Sequence, residues 1–149
     1  MQLSGHFSLR ELTASQTALR KGIDNKPTQD HIESLTDLAV QVLEPTRRHF
    51  GKPISISSGY RSEALCEAIG SKTTSQHARG EAADFECFGV DNKELAKYIK
   101  NNLVFDQLIL EFYNPDDPSS GWVHCSYSKE GNRKQSLLYN GKDYTEWLT

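Results

Sequence analysis

Phe105-Asp106-Gln107-Leu108-Ile109-Leu110-Glu111-Phe112-Tyr113 is the strongest strand signal in the chain, and its surroundings decide the fold. Turn formers follow it directly: Asn114-Pro115-Asp116-Asp117-Pro118-Ser119-Ser120-Gly121 reads as a loop. Trp122 to Tyr127 resumes as a second strand and Gln135 to Tyr139 as a third. Upstream, Ala82 to Phe88 is a strand, and Ile54-Ser55-Ile56-Ser57 alternates as a half-buried strand should. Ser62-Glu63-Ala64-Leu65 starts a short helix that Gly70 terminates, and Asp91 with Glu94 caps another through about Asn101. The first fifty residues read as helical. Ser8 and Glu11 form a capping box, Asp24-Asn25-Lys26-Pro27 is a turn, and Thr28 caps a longer helix. The apolar positions of that helix, Ile32, Leu35, Leu38, Ala39, Val42 and Leu43, keep a 3.6 period. Pro45 predicts a kink or break near Leu43, and Gly51 with Pro53 ends the helix. Strands gather in the second half and helices in the first. The expectation is an α+β fold: a small, mostly antiparallel sheet with helices packed on one side.

The 149 residues fit one domain, with a helical part over about 1–52 and a sheet-rich part over about 53–149. No apolar run approaches the roughly 18–20 residues of a membrane span. Lys and Arg are scattered and the net charge is −3, which argues against nucleic acid as a partner; a monomer is expected. Cys66, Cys87 and Cys125 are odd in number and widely spaced. They fit small apolar core residues better than a disulfide framework or a zinc finger. Met-Gln-Leu-Ser-Gly-His-Phe has neither a basic nor an apolar leader region, so synthesis in the cytoplasm is expected.

Chemistry concentrates in Ser75-Gln76-His77-Ala78-Arg79-Gly80-Glu81-Ala82-Ala83-Asp84-Phe85. A loop His feeding into a strand Asp can put an imidazole nitrogen and a carboxylate oxygen on one cation. A third ligand is available in Trp122-Val123-His124. Strand alternation puts Trp122, His124 and Ser126 on one face and Cys125 on the other, so Cys125 should not join His124 at a metal. Two His and one carboxylate leave a fourth position for water, the pattern of a catalytic zinc site. Taken bare the spacing is a weak signal, since His and Asp seven apart occur by chance, and a turn His, a strand-end Asp and a core His remain open readings.

Ser75-x-His77-x-x-Gly80-x-Ala82-x-Asp84, followed by Trp122-Val123-His124, resembles the zinc D-Ala-D-Ala carboxypeptidase family of metallopeptidases, and most of all its short, phage-associated branch. The stretches 7–12, 22–25, 57–62 and 105–112 are similar to that branch as well, so the resemblance spans about residues 7–138. It implies a hedgehog/D-Ala-D-Ala-peptidase-like fold and zinc held by His77, Asp84 and His124. The better-known members carry their general-base Glu three residues before the last His; that position here is Gly121. Glu111, at the end of the neighbouring strand, is the best substitute, with Glu86 its rival and Glu81 a weaker choice. Lying opposite His124, Glu111 would be within one water of the metal. Arg61 would hold a peptide carboxylate or an oxyanion, or pair at the surface with Glu63 or Glu67. Ser75, Tyr60 and Trp122 are candidate substrate contacts; a capping hydroxyl and buried aromatics are the alternatives.

The resemblance implies a zinc peptidase acting on peptidoglycan stem peptides, as a D,D-carboxypeptidase or endopeptidase with an endolysin-like role. It would act at the bacterial wall after lysis-associated release or as a virion component. Competing expectations are a non-catalytic zinc-containing wall- or protein-binding module on the same fold, a vestigial phage component, and a cytoplasmic D,D-dipeptidase.

Overall fold

A computed structural model describes residues 1–147. A hairpin comes first: β1 (Gln2–Ser4) and β2 (Phe7–Ser8) pair antiparallel. Three helices follow, α1 (Leu9–Thr13), α2 (Gln16–Lys21) and α3 (Gln29–Leu38); α3 passes through a π turn (Ala39–Leu43) into α4 (Glu44–Phe50). Next come β3 (Ile54–Ser58), α5 (Glu63–Ile69), a 3₁₀ turn (Gln76–Arg79), β4 (Ala82–Cys87) and α6 (Asn92–Asn102). The chain closes with β5 (Gln107–Glu111), β6 (Trp122–Ser126), β7 (Gln135–Tyr139) and β8 (Tyr144–Glu146).

Six strands form one sheet in the order β3-β4-β6-β5-β7-β8. Every neighbouring pair is antiparallel except β5 and β7. The α+β expectation therefore holds, with one parallel pair that the sequence pattern did not announce. The chain crosses from β6 to the far side of β5 before β7. Asp106 pins that crossing: its Oδ1 accepts from Arg133 N and Nε at 3.0 and 2.9 Å, and its Oδ2 from Arg133 Nη2 at 2.9 Å.

Strand alternation divides the sheet into two faces. Phe85, Leu108, Val123 and Cys125 lie fully buried on one, packed with Leu35, Leu38, Val42, Leu43, Leu95 and Ile99 of the helices. Burying each such Leu, Ile or Phe contributes about 2 kcal/mol relative to exposure. The other face carries Asp84, His124, Trp122 and Glu111.

Two expectations for the first fifty residues need correction. The start is a hairpin, because Leu3 and Phe7 enter the common core and the buried Glu44 carboxylate ties the turn down. Glu44 Oε1 accepts from Ser4 Oγ at 2.8 Å and His6 N at 2.7 Å, and its Oε2 lies 2.6 Å from His6 Nδ1. Burial alone would raise the Glu44 carboxyl's proton affinity; these contacts outweigh it and lower it. The second is the break: of the kink or break expected near Leu43, the structure has a π turn over Ala39–Leu43 and the helix continues. Glu44 N–H reaches back five residues to Ala39 O, and Pro45 falls in the first turn of α4, where its missing N–H costs little.

Candidate metal centre and active site

Ser75 caps the 3₁₀ turn by accepting from His77 N at 3.1 Å. Gly80 then turns the chain into β4 at φ +74°, where a Cβ would sit 2.6 Å from the His31 carbonyl oxygen. His77 is thereby buried with its Nδ1 2.7 Å from Gly59 O. Donating Nδ1–H to that carbonyl leaves the Nε2 lone pair free, facing Asp84 Oδ1 at 3.5 Å. Burial lowers the His77 proton affinity, with Asp84 working against it. The neutral imidazole this favours is the form that binds a metal.

Asp84 on β4 and His124 on β6 are register partners. Asp84 Oδ1 lies 2.8 Å from His124 Nδ1. Burial would raise the Asp84 pKa, but the hydrogen bonds and charges of His124 and His77 drive it well below the usual carboxylate range. One donor atom from each of His77, Asp84 and His124 lies within 4.8 Å of the other two. Two imidazole nitrogens and a carboxylate oxygen, one imidazole oriented by a backbone carbonyl, fit a zinc ion with an open position. Cys125 points into the core, fully buried, its thiol pushed far up by desolvation.

Glu111 faces Trp122 across the β5–β6 ladder, and Ile109 stands opposite His124. The expected Glu111–His124 pairing is thus one alternation off. Glu111 Oε2 accepts from Trp122 Nε1 at 3.0 Å. Burial raises the Glu111 pKa and the Asp84 charge adds to it, while His124, Trp122 and Arg61 pull it back. Those are the residues of the metal cluster and its borders. The glycine at 121 now has a physical cause. Its φ is +67°, and a Cβ there would overlap the Glu111 carbonyl oxygen and sit 2.8 Å from the Phe112 carbonyl carbon.

A sequence profile of the family described as Peptidase M15 matches residues 5–126. The chain belongs to the M15 peptidase family. No individual curated protein matches it. M15 peptidases are zinc-dependent, and the donor cluster fits that requirement. The matched span holds the whole cluster together with Arg61 and Glu111; β7 and β8 lie beyond it.

The remaining candidates of this M15 peptidase fall into two groups. Arg61 and Trp122 border the cluster. Arg61 ignores Glu63 and Glu67. Its Nε donates to Ser58 Oγ at 2.8 Å, its Nη1 to Ser71 Oγ at 3.1 Å and its Nη2 to Asp84 Oδ2 at 3.2 Å. It therefore orients the second oxygen of Asp84. Tyr60 and Ser75 serve the scaffold. Tyr60 is buried in the core with its ring centroid 4.9 Å from that of His31, and it also contributes to the lining of the groove beside β3. The Ser75 hydroxyl is engaged as the cap.

Of the rival carboxylates, Glu86 is exposed and accepts from Asn92 Nδ2 at 3.0 Å. Glu81 accepts from Arg79 Nε at 2.9 Å. Sequence reasoning missed the supports. Gly59 supplies the His77 carbonyl partner. Asn25 donates to Thr13 O and Tyr60 O and accepts from Ser62 N, locking the turn before Arg61. Asn25 stood in a recognised turn, but nothing in one sequence shows that its amide reaches residues 35 and 37 positions away.

Proposed function

We propose that this M15 peptidase hydrolyses peptide bonds of peptidoglycan stem peptides, in an endolysin-like role, with His77, Asp84 and His124 holding zinc and Glu111 acting as general base. The observation that carries the reading is the half-buried Glu111 carboxylate, fixed by Trp122 and sensing Asp84, His124 and Arg61. Bound zinc would polarise the scissile carbonyl and acidify a water. Glu111 takes the proton from the attacking water at its carboxylate; its raised pKa brings proton uptake and return closer to balance near neutrality. The same carboxyl then returns the proton to the leaving amine. Trp122 Nε1–H holds Glu111 in orientation, Arg61 holds Asp84, and Gly59 O holds the His77 ring. An endolysin-like enzyme of this kind works at the bacterial wall, delivered by lysis or by a virion.

The alternative of a non-catalytic binding module drew its weight from the missing Glu at 121. Gly121 has a steric cause of its own, and the Glu111 carboxylate beside the cluster supports the catalytic reading over a binding module. The test is zinc quantification on the purified protein, followed by digestion of wall muropeptides with wild type and Glu111→Ala. The reading expects bound zinc, new amine and carboxylate termini with wild type, and their loss with the variant. Absence of zinc, absence of new termini, or undiminished cleavage by the variant would each sink the corresponding claim.

A further inference from the structure

We propose that the outer edge of β3 binds the main chain of an extended peptide by strand addition, so that the substrate is a peptide of several residues and not a free dipeptide. The inference rests on the peptidase reading above.

β3 ends the six-stranded sheet and has β4 on one side only. Phe88 N donates to Pro53 O at 2.9 Å, and Ile54 and Ile56 pair in register with Cys87 and Phe85. Antiparallel alternation then gives β4 the backbone groups of Pro53 and Ser55. The N–H and C=O of Ile54 and Ile56 point outward. Among the described residues no other backbone group bonds them.

A groove of 880 Å³ opens beside this edge. Its lining includes Ile56, Ser57, Ser58, Tyr60 and Arg61 together with residues 13–19. Arg61 Nη2 is 3.2 Å from Asp84 Oδ2, so a chain laid along β3 arrives at the metal ligands. Past that point Tyr60 N donates to Leu12 O at 2.7 Å, which closes the edge. The free stretch thus takes about two or three residues at roughly 3.4 Å each.

The hydroxyls of Thr13, Ser15, Ser57 and Ser58 on this lining are engaged within the protein, so the free backbone groups of the edge are what an amide-rich ligand would meet. Main-chain hydrogen bonds supply affinity without reading side-chain identity. A free dipeptide has a single amide, where the edge offers the N–H and C=O of both Ile54 and Ile56.

The experiment uses the full-length, zinc-loaded Glu111→Gln protein and a synthetic stem pentapeptide ending in D-Ala-D-Ala. Analogues N-methylated at one interior amide at a time complete the set. Amide hydrogen exchange and NMR shifts of Ile54 and Ile56 are followed on titration, and cleavage is measured separately with wild type. The proposal expects the Ile56 N–H to gain at least about tenfold protection. At least one N-methyl analogue should bind about tenfold more weakly. Binding and cleavage with an unchanged Ile56 amide and tolerance of every N-methyl group would overturn the edge site and leave the peptidase reading standing. Protection of Ile56 without cleavage by wild type would support the edge site and sink the peptidase reading. A peptide that neither binds nor is cleaved would overturn both.

Discussion

The two flanks of the candidate site are built differently. On the ligand flank, Asp84 and His124 face each other in the β4–β6 ladder, and His77 hangs from a short turn tied to Gly59. On the base flank, β5 ends just before Phe112 with φ +56°, and β6 begins after Gly121 with φ +67°. The β5–β6 loop closes so tightly there that position 121 has no room for a side chain, and the mechanism proposed above takes its carboxylate from Glu111 across the ladder. Neighbouring strands are about 5 Å apart, so a carboxylate can move one strand over and still serve the same open position. The ligand flank admits no such exchange, because three donor atoms must converge on one point.

That contrast can be broken or sharpened by experiment. The largest effect belongs to the ligand flank. His77→Ala should lower zinc affinity by more than about 100-fold, read by metal content after dialysis, and abolish hydrolysis with it. Glu111→Gln should keep stoichiometric zinc yet lose about 10²–10⁴-fold in hydrolysis. A variant that loses zinc and activity together would mean that Glu111 belongs to the ligand flank.

Gly121→Glu puts a carboxylate where better-known relatives of this family are expected to carry it. It should fail to rescue Glu111→Gln and should destabilise the fold by about 1–3 kcal/mol or more, from the positive φ and the overlap with Glu111 O. Thermal unfolding reads that loss; a rescued, undiminished Tm would contradict the steric account.

How much of this was legible follows the same division. Spacing alone left His77, Asp84 and His124 open to ordinary turn, strand-end and core readings; the resemblance of their motifs singled them out, and the fold brings their donor atoms together. Parity separated Cys125 from His124 correctly. The β5–β6 register was not legible, since two positive-φ residues and the loop between them set it, and Glu111 therefore met Trp122 and not His124. The β1–β2 hairpin escaped because its strands are two and three residues long and depend on Glu44, about forty residues away. Pro45 marks the place of an irregularity near Leu43, but a one-residue π adjustment leaves no trace in a hydrophobic period, so kink and break could not be told apart from the π turn that is there. Whether Tyr60 is buried or lines a cleft was not legible, because its burial depends on contact with His31 of α3, from a distant stretch.

Smaller effects test the supports on each flank. Asp106 is buried and holds both Arg133 and Gln76, the latter in the turn that carries His77. Hydrogen bonding from Arg133 leads the causes that put the Asp106 pKa below its ordinary value. A depressed folded-state pKa means that this stabilisation is present above the unfolded value of about 4 and fades as pH falls through the folded one. Arg133 is more than half exposed, so solvent screens its side of the pair. Arg133→Ala should then cost about 1–2 kcal/mol at pH 7, and the gap to wild type should narrow in acid. A gap independent of pH would remove Asp106 from the account. Least of all, Trp122→Phe should lower hydrolysis by about three- to tenfold with zinc retained, the loss of one hydrogen bond to Glu111.

The central claim is that His77, Asp84 and His124 hold one zinc with Glu111 on its open side. Anomalous diffraction at the zinc edge from crystals of the zinc-loaded protein tests it most directly. The account predicts a single peak within bonding distance of His77 Nε2, an Asp84 oxygen and a His124 ring nitrogen, with the Glu111 carboxylate facing the fourth position. A peak elsewhere, or Glu86 at that position in place of Glu111, would contradict it.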